Sequence, residues 1–148
     1  MKIFVCNNES ETKALAMKLA KIIKGGDLIG LNGDLGAGKT FFCKHVIHAL
    51  GVTEDVTSPS YTILNDYGNI YHFDVYRLND IDEMYEIGYE EYFFSDGICF
   101  VEWSDEIESL LPEGYFKINM TLGQDIHERT IEIKGTTQAL ENRLEALK

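Results

Sequence analysis

Proline, cysteine and basic residues are all scarce in this chain. Among 148 residues there are two prolines and three cysteines, and 13 lysines and arginines stand against 25 aspartates and glutamates. With 45% hydrophobic residues and so little proline, the composition excludes a disordered chain. No apolar run approaches the roughly 18 residues that cross a bilayer, which excludes a membrane-spanning helix. We therefore expect one globular domain over residues 1–148, with no part of it in a membrane.

A secretion signal is also missing from the sequence. The first residues, MKIFVCNNESETK, lack the succession of a basic flank, an apolar core and a small-residue cleavage site. Cys6, Cys43 and Cys99 are odd in number and have no C-x-x-C spacing, which is typical of reduced thiols buried as small hydrophobic side chains. We predict a cytoplasmic protein without a disulfide or metal framework.

The excess of acidic charge is confined to one part of the chain. Residues 74–113 contain 13 acidic residues and a single base, Arg77, whereas the rest of the chain has 12 acidic and 12 basic residues. Such a surface repels phosphate backbones and attracts basic partners or metal ions, so nucleic-acid binding through this region is disfavoured. The alternative is a solvated acidic face that only maintains solubility.

Hydrophobic periodicity and turn signals predict a series of strands and helices. The predicted strands cover residues 2–6, 28–32, 61–66, 69–76, 97–102, 116–122 and 129–134. The predicted helices cover residues 9–24, 39–50 and 81–93, and a last helix begins at about residue 137. Helices that come early and strand pairs that come late indicate an α/β sandwich around a mixed sheet.

Residues 33–40 read GDLGAGKT and match the phosphate-loop pattern G-x-x-x-x-G-K-[ST] in full. Glycines let successive backbone N–H groups turn inward around a phosphate, and the following helix directs its positive dipole end at the same anion. A glycine-rich turn that binds nothing is the alternative, but a predicted buried strand before the loop and an amphipathic helix after it favour a nucleotide site. The candidate nucleotide contacts are Gly33, Asp34, Leu35, Gly36, Ala37, Gly38, Lys39 and Thr40. Lys39 is placed to reach the β and γ phosphates, and Thr40 is placed to offer its hydroxyl to Mg²⁺.

Two acidic residues end apolar runs and are candidate metal-site residues. Asp74 follows the run of residues 70–73, and Glu102 follows the run of residues 98–101. A nucleoside-triphosphate site needs a carboxylate near its metal, usually at a strand end, although either acid alone could simply face water. The sequence does not rank them, so Lys39, Asp74 and Glu102 are the catalytic candidates. No [NT]-K-x-D stretch for guanine occurs, which favours ATP over GTP.

Residues 57–62, TSPSYT, follow the helix after the phosphate loop. Hydroxyls such as those of Thr57 and Ser60 could respond to the γ phosphate as a switch segment does. The alternative is an ordinary proline turn that enters a strand. His72 is expected to orient Asp74 or to pack beneath the strand pair, and Trp103 either stacks on a partner or nucleotide or is half-buried in the core.

Four stretches together resemble the TsaE (YjeE) family, the small bacterial ATPases of tRNA threonylcarbamoyladenosine synthesis. They are GDLGAGKT at residues 33–40, TSPSYT at 57–62, HFDVYRL at 72–78 and VEW at 101–103. The resemblance extends over about residues 9–134, and this combination is far more specific than the phosphate loop alone. Two departures are Ser60, where the family usually has threonine, and Ser104, where many members have proline.

The resemblance implies a P-loop NTPase-like fold, an α/β three-layer sandwich with a mixed central sheet. It further implies that Thr40 and Glu102 hold Mg²⁺ and that Asp74 lies near the metal and the attacking water. Adenine would lie near the start of the first helix, at about residues 9–12 with Ser10 as a candidate contact, and Arg129 would approach the nucleotide from the late strand pair. Family members bind the TsaB–TsaD heterodimer, and their ATP hydrolysis supports its turnover. The resemblance therefore implies that tRNA is contacted only indirectly, through the complex.

Two other functions remain open from the sequence. A small-molecule kinase uses the same loop, but it needs an acceptor pocket and usually an arginine-rich lid, and residues 78–113 contain no lysine or arginine. A nucleotide-gated binding module would need ATP binding without hydrolysis. The chain has only three arginines, at positions 77, 129 and 143, so an arginine finger within it has few candidates and hydrolysis is expected to be weak without a partner.

Overall fold

A computed structural model describes residues 1–59 and 61–148, so the predicted contact Ser60 lies outside the described residues. Within these ranges seven strands form one sheet: β1 (Lys2–Cys6), β2 (Leu28–Asn32), β3 (Leu64–Asp66), β4 (Ile70–Asp74), β5 (Ile98–Glu102), β6 (Phe116–Leu122) and β7 (Arg129–Gly135). Their order is β1-β7-β6-β2-β5-β4-β3. The central pairs β6–β2, β2–β5 and β5–β4 are parallel, and the outer pairs are antiparallel. The predicted mixed sheet is confirmed.

Helices cover both faces of this sheet. They are α1 (Glu9–Ala20), α2 (Lys39–Ala49), α3 (Asp82–Glu86), α4 (Tyr89–Phe93) and α5 (Gln138–Leu144), and a 3₁₀ segment spans Ser104–Leu110. One apolar cluster joins α1, α2 and Leu144 of α5 to the sheet, and a second joins α3, α4 and the 3₁₀ segment to its other face. The predicted three-layer α/β sandwich is therefore confirmed. None of the helices in the described ranges has the length and apolarity needed to cross a bilayer.

Several predicted boundaries were wrong, and each has a local cause. Helix α1 ends at Ala20 instead of residue 24, because the chain tightens into a turn that Asp27 closes by accepting a hydrogen bond from the Lys24 N–H at 2.8 Å. The predicted helix 81–93 is two helices, because Gly88 adopts a left-handed conformation between them. Strand β3 begins only at Leu64, because Ile63 has a φ of 70° and its N–H bonds to the Pro59 carbonyl in a turn.

Parallel pairing places the ends of three strands at one edge of the sheet. In the register, Glu102 at the end of β5 lies beside Leu31 of β2 on one side and beside Asp74 of β4 on the other. The phosphate loop follows β2 directly, so the loop and both acids meet at the carboxyl edge. In open α/β sheets this edge is where ligands bind.

Candidate nucleotide-binding site

The phosphate loop depends on glycine at its two ends. Gly33 has a φ of 151°, and a Cβ atom there would lie 2.5 Å from the Met120 carbonyl oxygen. Gly38 has a φ of 99° and occupies the N-cap of α2, where it has no side chain with which to cap the helix. The first N–H groups of this 11-residue helix are therefore available to an anion, and the helix dipole also favours negative charge at this end.

Lys39 is held inside the loop. Its side chain is buried, and its Nζ donates hydrogen bonds to the carbonyl oxygens of Gly33 at 2.6 Å and Asp34 at 3.0 Å. The same nitrogen lies 4.2 Å from the centroid of the Trp103 ring. Burial lowers the pKa of the Lys39 amine, while the charges of Glu102 and Asp74 oppose that shift. The amine is thus positioned beside the loop that would receive phosphates.

Thr40 and Glu102 are in direct contact. The Thr40 hydroxyl lies 2.9 Å and 3.0 Å from the two carboxylate oxygens of Glu102. Glu102 is only 2% exposed, at the end of a strand whose last four residues are all buried. The structure therefore brings together two of the three residues predicted to hold a metal.

Asp74, the third, lies beside them in the next strand. One of its oxygens accepts a hydrogen bond from the Tyr76 N–H at 3.0 Å, and the other accepts one from the Ser58 hydroxyl at 3.3 Å. Burial raises the pKa of the Asp74 carboxyl, the Tyr76 N–H opposes that shift, and the charge of Glu102 adds to it. Both acids line the same cavity as Thr40.

The sequence predicted that His72 orients Asp74 or packs beneath the strand pair, but its side chain contacts Glu102. Its Nε2 lies 2.5 Å from a carboxylate oxygen of Glu102, and the ring is completely buried. His72 and Asp74 are two residues apart in β4 and share a face of the sheet, but the neighbouring strand presents Glu102 diagonally across from His72. Spacing in the sequence favours Asp74, the acid nearer to His72, because the sequence does not specify the register between β4 and β5.

Two cavities open on either side of the phosphate loop. The first, here called the acidic pocket, has a volume of about 320 Å³ and is lined by Leu35, Gly36, Gly38, Lys39, Thr40, Phe41, Ser58, Asp74, Tyr76, Arg77, Glu102 and Trp103. The second, here called the hairpin pocket, has a volume of about 250 Å³ and is lined by Glu9, Thr12, Ala37, Gly38, Phe41, Met120, His127 and Arg129. Gly38 and Phe41 line both cavities, so the pockets are the two sides of one loop.

Three of the predicted nucleotide contacts, Ser10, Thr57 and Arg129, lie outside the phosphate loop. Ser10 is exposed on the first turn of α1, and its neighbours Glu9 and Thr12 line the hairpin pocket instead. Thr57 is exposed, and its carbonyl accepts a hydrogen bond from Asn65 at 3.2 Å. Ser58 rather than Thr57 lines the acidic pocket.

Arg129, the third, joins the β6–β7 hairpin to the phosphate loop. Its guanidinium donates to the carbonyl oxygens of Ala37 at 2.8 Å and Gly36 at 3.4 Å. It also donates at 2.9 Å to the carbonyls of Ile126 and Glu128 within the hairpin. Arg129 therefore supports the loop backbone from the side of the hairpin pocket, which it also lines, and a separation of 92 residues from Ala37 hides this contact in the sequence.

The sequence did not assign a role to Asn32 or to Ser104. The Asn32 side chain donates to the buried Ser104 hydroxyl at 3.0 Å and accepts from the Asp105 N–H at 2.9 Å. These bonds brace Trp103, which has a φ of 65° that bulky side chains rarely adopt. The serine found where proline is common thus has a structural role. The available signal was a polar residue at the end of a strand that is otherwise entirely apolar, LIGLN.

Comparisons with known proteins identify relatives of this chain. Residues 6–131 match the family described as threonylcarbamoyl adenosine biosynthesis protein TsaE. The chain belongs to the TsaE family. A TsaE relative from Bacillus subtilis, named a tRNA threonylcarbamoyladenosine biosynthesis protein, is 43% identical over 95% of this chain and 87% of its own length. One from Rickettsia felis, with the same name, is 42% identical over 80% of this chain and 71% of its own length.

A solved structure extends the comparison to the fold. The crystal structure of YdiB from Bacillus subtilis superposes with a TM-score of 0.82 at 37% identity, and covers 99% of this chain and 93% of that one. The TsaE family model spans both pockets and every predicted site residue. The family that the four sequence motifs indicated is confirmed.

The oxygen atoms at the TsaE-family site suit a magnesium ion. Mg²⁺ prefers hard oxygen ligands and usually binds to one or two carboxylates together with substrate phosphates. The acidic pocket offers the Thr40 hydroxyl and the carboxylates of Asp74 and Glu102 beside a phosphate loop. This donor set fits Mg²⁺ bound with a nucleotide.

Proposed function

We propose that this protein is a Mg²⁺-dependent ATPase that supports the TsaB–TsaD threonylcarbamoyl transferase in tRNA threonylcarbamoyladenosine biosynthesis. The observation that carries the proposal is the contact between Thr40 of the phosphate loop and Glu102 at the end of β5. This contact joins a triphosphate-binding backbone to an acid that can hold a metal. The names of its curated relatives supply the pathway.

The chain's own groups account for the binding of the triphosphate. Backbone N–H groups at the start of α2 and the Lys39 amine, which is buried beside the loop, neutralise the phosphate oxygens. Thr40 and Glu102 hold the metal, with Asp74 beside them. Bound Mg²⁺ supplies a Lewis acid that offsets charge on the β and γ phosphates.

Hydrolysis requires a water molecule in line with the γ phosphorus. Asp74 or Glu102 orients that water, whose oxygen bonds to the γ phosphorus as the bond from phosphorus to the bridging oxygen breaks, which gives ADP and phosphate. Asp74 lines the pocket beside Glu102, which supports it as a group that can take up the proton of the water. Adenine fits the hairpin pocket, which lies across the loop from the two acids.

A partner protein is expected to accelerate this reaction. Arg129 donates to four backbone carbonyls and Arg143 pairs with Asp27, so both guanidinium groups are already engaged. Arg77 lines the acidic pocket but lies 4.7 Å from the Tyr61 ring centroid. Because an arginine finger contributes a factor of roughly 10³ or more in related enzymes, the isolated chain should hydrolyse ATP slowly. tRNA is contacted only through the TsaB–TsaD complex.

The test is ATP hydrolysis by the purified protein with Mg²⁺, alone and with TsaB–TsaD. We expect slow turnover alone and faster turnover with the heterodimer. Lys39→Ala should abolish turnover, whereas Lys44→Ala, an exposed lysine on the same helix, should leave it unchanged. Equal activity of wild type and Lys39→Ala would refute the site, and equal rates with and without TsaB–TsaD would refute the role of the partner.

A further inference from the structure

His72 occupies a place in the core where packing alone calls for an apolar side chain. Its neighbour in sequence, Phe73, and the residue opposite it in β5, Phe100, are both fully buried hydrophobic residues. The imidazole is 0% exposed. A buried polar ring costs stability unless its nitrogen atoms find partners.

Only one of the two ring nitrogens has such a partner. Nε2 lies 2.5 Å from a carboxylate oxygen of Glu102, while Nδ1 is buried with no hydrogen-bond partner among the described residues. In a neutral ring, the proton therefore belongs on Nε2, where it can be donated to the carboxylate. The contact with Glu102 is the one polar interaction that explains an imidazole at this position.

Glu102 in turn needs a fixed donor. Its carboxylate is 2% exposed; the Thr40 hydroxyl lies near both of its oxygens, and His72 contacts Oε2. The Thr40 hydroxyl belongs to the candidate metal site itself, whereas the fully buried His72 imidazole can hold Oε2 of Glu102 whether or not a metal is bound. The Cys43 sulfur is close to both groups, but burial raises the pKa of this thiol, so it adds no charge beside Glu102.

We propose that His72 is a positioning residue that holds the Glu102 carboxylate in the orientation in which it binds Mg²⁺ together with Thr40. This inference rests on the proposed Mg²⁺–ATP site. Groups that orient a metal ligand in this way typically change metal affinity by about 10- to 100-fold when removed. The expected defect is therefore in the response to Mg²⁺ and not in the binding of the nucleotide itself.

The test compares ADP binding by titration calorimetry with Mg²⁺ and with EDTA, for wild type, His72→Leu and His72→Gln. For His72→Leu we expect the Mg²⁺ concentration that gives half of the metal-dependent gain in affinity to rise about 10-fold or more. ADP affinity in EDTA should stay within about twofold of wild type, because the phosphate loop is untouched. His72→Gln, whose amide nitrogen can still donate to Glu102, should recover most of the Mg²⁺ response.

Two controls separate positioning from a general loss of structure. His48→Leu, at the far end of α2 where His48 contacts the Glu54 carbonyl, should leave the Mg²⁺ response unchanged. In a Glu102→Gln background, His72→Leu should cause no further loss, because both changes remove the same interaction. If His72→Leu does not fold, His72→Asn replaces it, since its shorter amide ends farther from Glu102.

The outcomes are distinguishable from failure of the proposed function. A wild-type Mg²⁺ response in folded His72→Leu overturns the positioning role, and so does a His72→Gln variant as defective as His72→Leu. Additive losses in the Glu102→Gln background also overturn it. If wild-type protein binds ADP equally well with Mg²⁺ and EDTA, the proposed metal site fails first, and the inference fails with it.

Discussion

The two pockets beside the phosphate loop are built in different ways. In the acidic pocket the two carboxylates, those of Asp74 and Glu102, are buried and come from neighbouring parallel strands. In the hairpin pocket Ala37 and Met120 are buried apolar residues, Thr12 is a buried polar residue, and the remaining polar groups lie on a more exposed rim. That rim includes a 3.2 Å contact between Glu9 and His127, whose side chains are both more than half exposed.

Under the proposed function, the two pockets on either side of the phosphate loop have different roles. Buried charges held by hydrogen bonds suit metal binding and phosphoryl transfer, because a preorganised site loses little energy to reorganisation. An apolar floor with an adaptable rim suits the flat face of a nucleobase. Substitutions in the acidic pocket should therefore affect metal binding and hydrolysis, whereas substitutions in the hairpin pocket should affect binding of the base.

The largest effect is expected from Glu102→Gln in the acidic pocket. This change keeps the shape of the side chain and removes its charge, so kcat for ATP hydrolysis should fall by about 100-fold or more. ADP affinity measured in EDTA should change little. Glu106→Gln, on the exposed side of the following 3₁₀ segment, is the matched control. A Glu102→Gln variant with normal kcat would assign the metal chemistry to Asp74 instead.

An intermediate effect is expected from Arg129→Ala, because Arg129 supports the loop that both pockets share. Loss of its bonds to the Gly36 and Ala37 carbonyls should weaken ATP and inorganic triphosphate alike, by about 10-fold, which corresponds to roughly one charge-assisted hydrogen bond. Competition binding with both ligands measures this, and Lys134→Ala on the same strand is the control. Weakening of ATP alone would place Arg129 on the base side.

A smaller effect is expected from His127→Ala on the rim of the hairpin pocket. Removing an aromatic wall should weaken ATP binding by about fivefold, in line with about 1 kcal/mol for an aromatic contact. Binding of inorganic triphosphate, which has no base, should be unchanged. Gln124→Ala, exposed on the same hairpin, should behave as wild type. If His127→Ala weakens both ligands equally, the hairpin pocket does not hold the base.

No effect on either pocket is expected from Arg143→Ala, although it should destabilise the fold. The Arg143 guanidinium makes two hydrogen bonds to the Asp27 carboxylate, at 2.9 and 2.7 Å, and ties α5 to the turn after α1. Its removal should lower the free energy of unfolding by about 2 kcal/mol in denaturant titrations. ATP affinity should not change. A parallel loss of affinity would mean that nucleotide binding follows global stability, and the separation of the pockets would fail.

Much of the site could be predicted because its parts are local in the sequence. The motif GDLGAGKT predicts the backbone conformation of a phosphate loop. Strands β1, β2 and β6 begin and end where the alternation and turn signals predict. Asp74 and Glu102 could be found as acids that end apolar strands. Parallel pairing of β4 with β5 in the structure then brings them together at the carboxyl edge.

The partners of these groups could not be predicted in the same way. His72 contacts Glu102, 30 residues away, and Arg129 contacts Ala37, 92 residues away. Such contacts depend on strand register and on where a hairpin crosses the loop, and a shift of one residue would turn each side chain to the opposite face. The bracing of Trp103 by Asn32 and Ser104 is of the same kind.

The nucleotide loop, the candidate acids and the family of this protein follow from the sequence, because each is recognised from a short motif of neighbouring residues. Only the folded structure shows which groups donate hydrogen bonds to each acid. It also shows that the buried acids lie on one side of the phosphate loop and the apolar residues of the hairpin pocket on the other. The physical reason is that buried polar groups must find their partners across elements distant in sequence, and only the register of the folded sheet specifies those pairings.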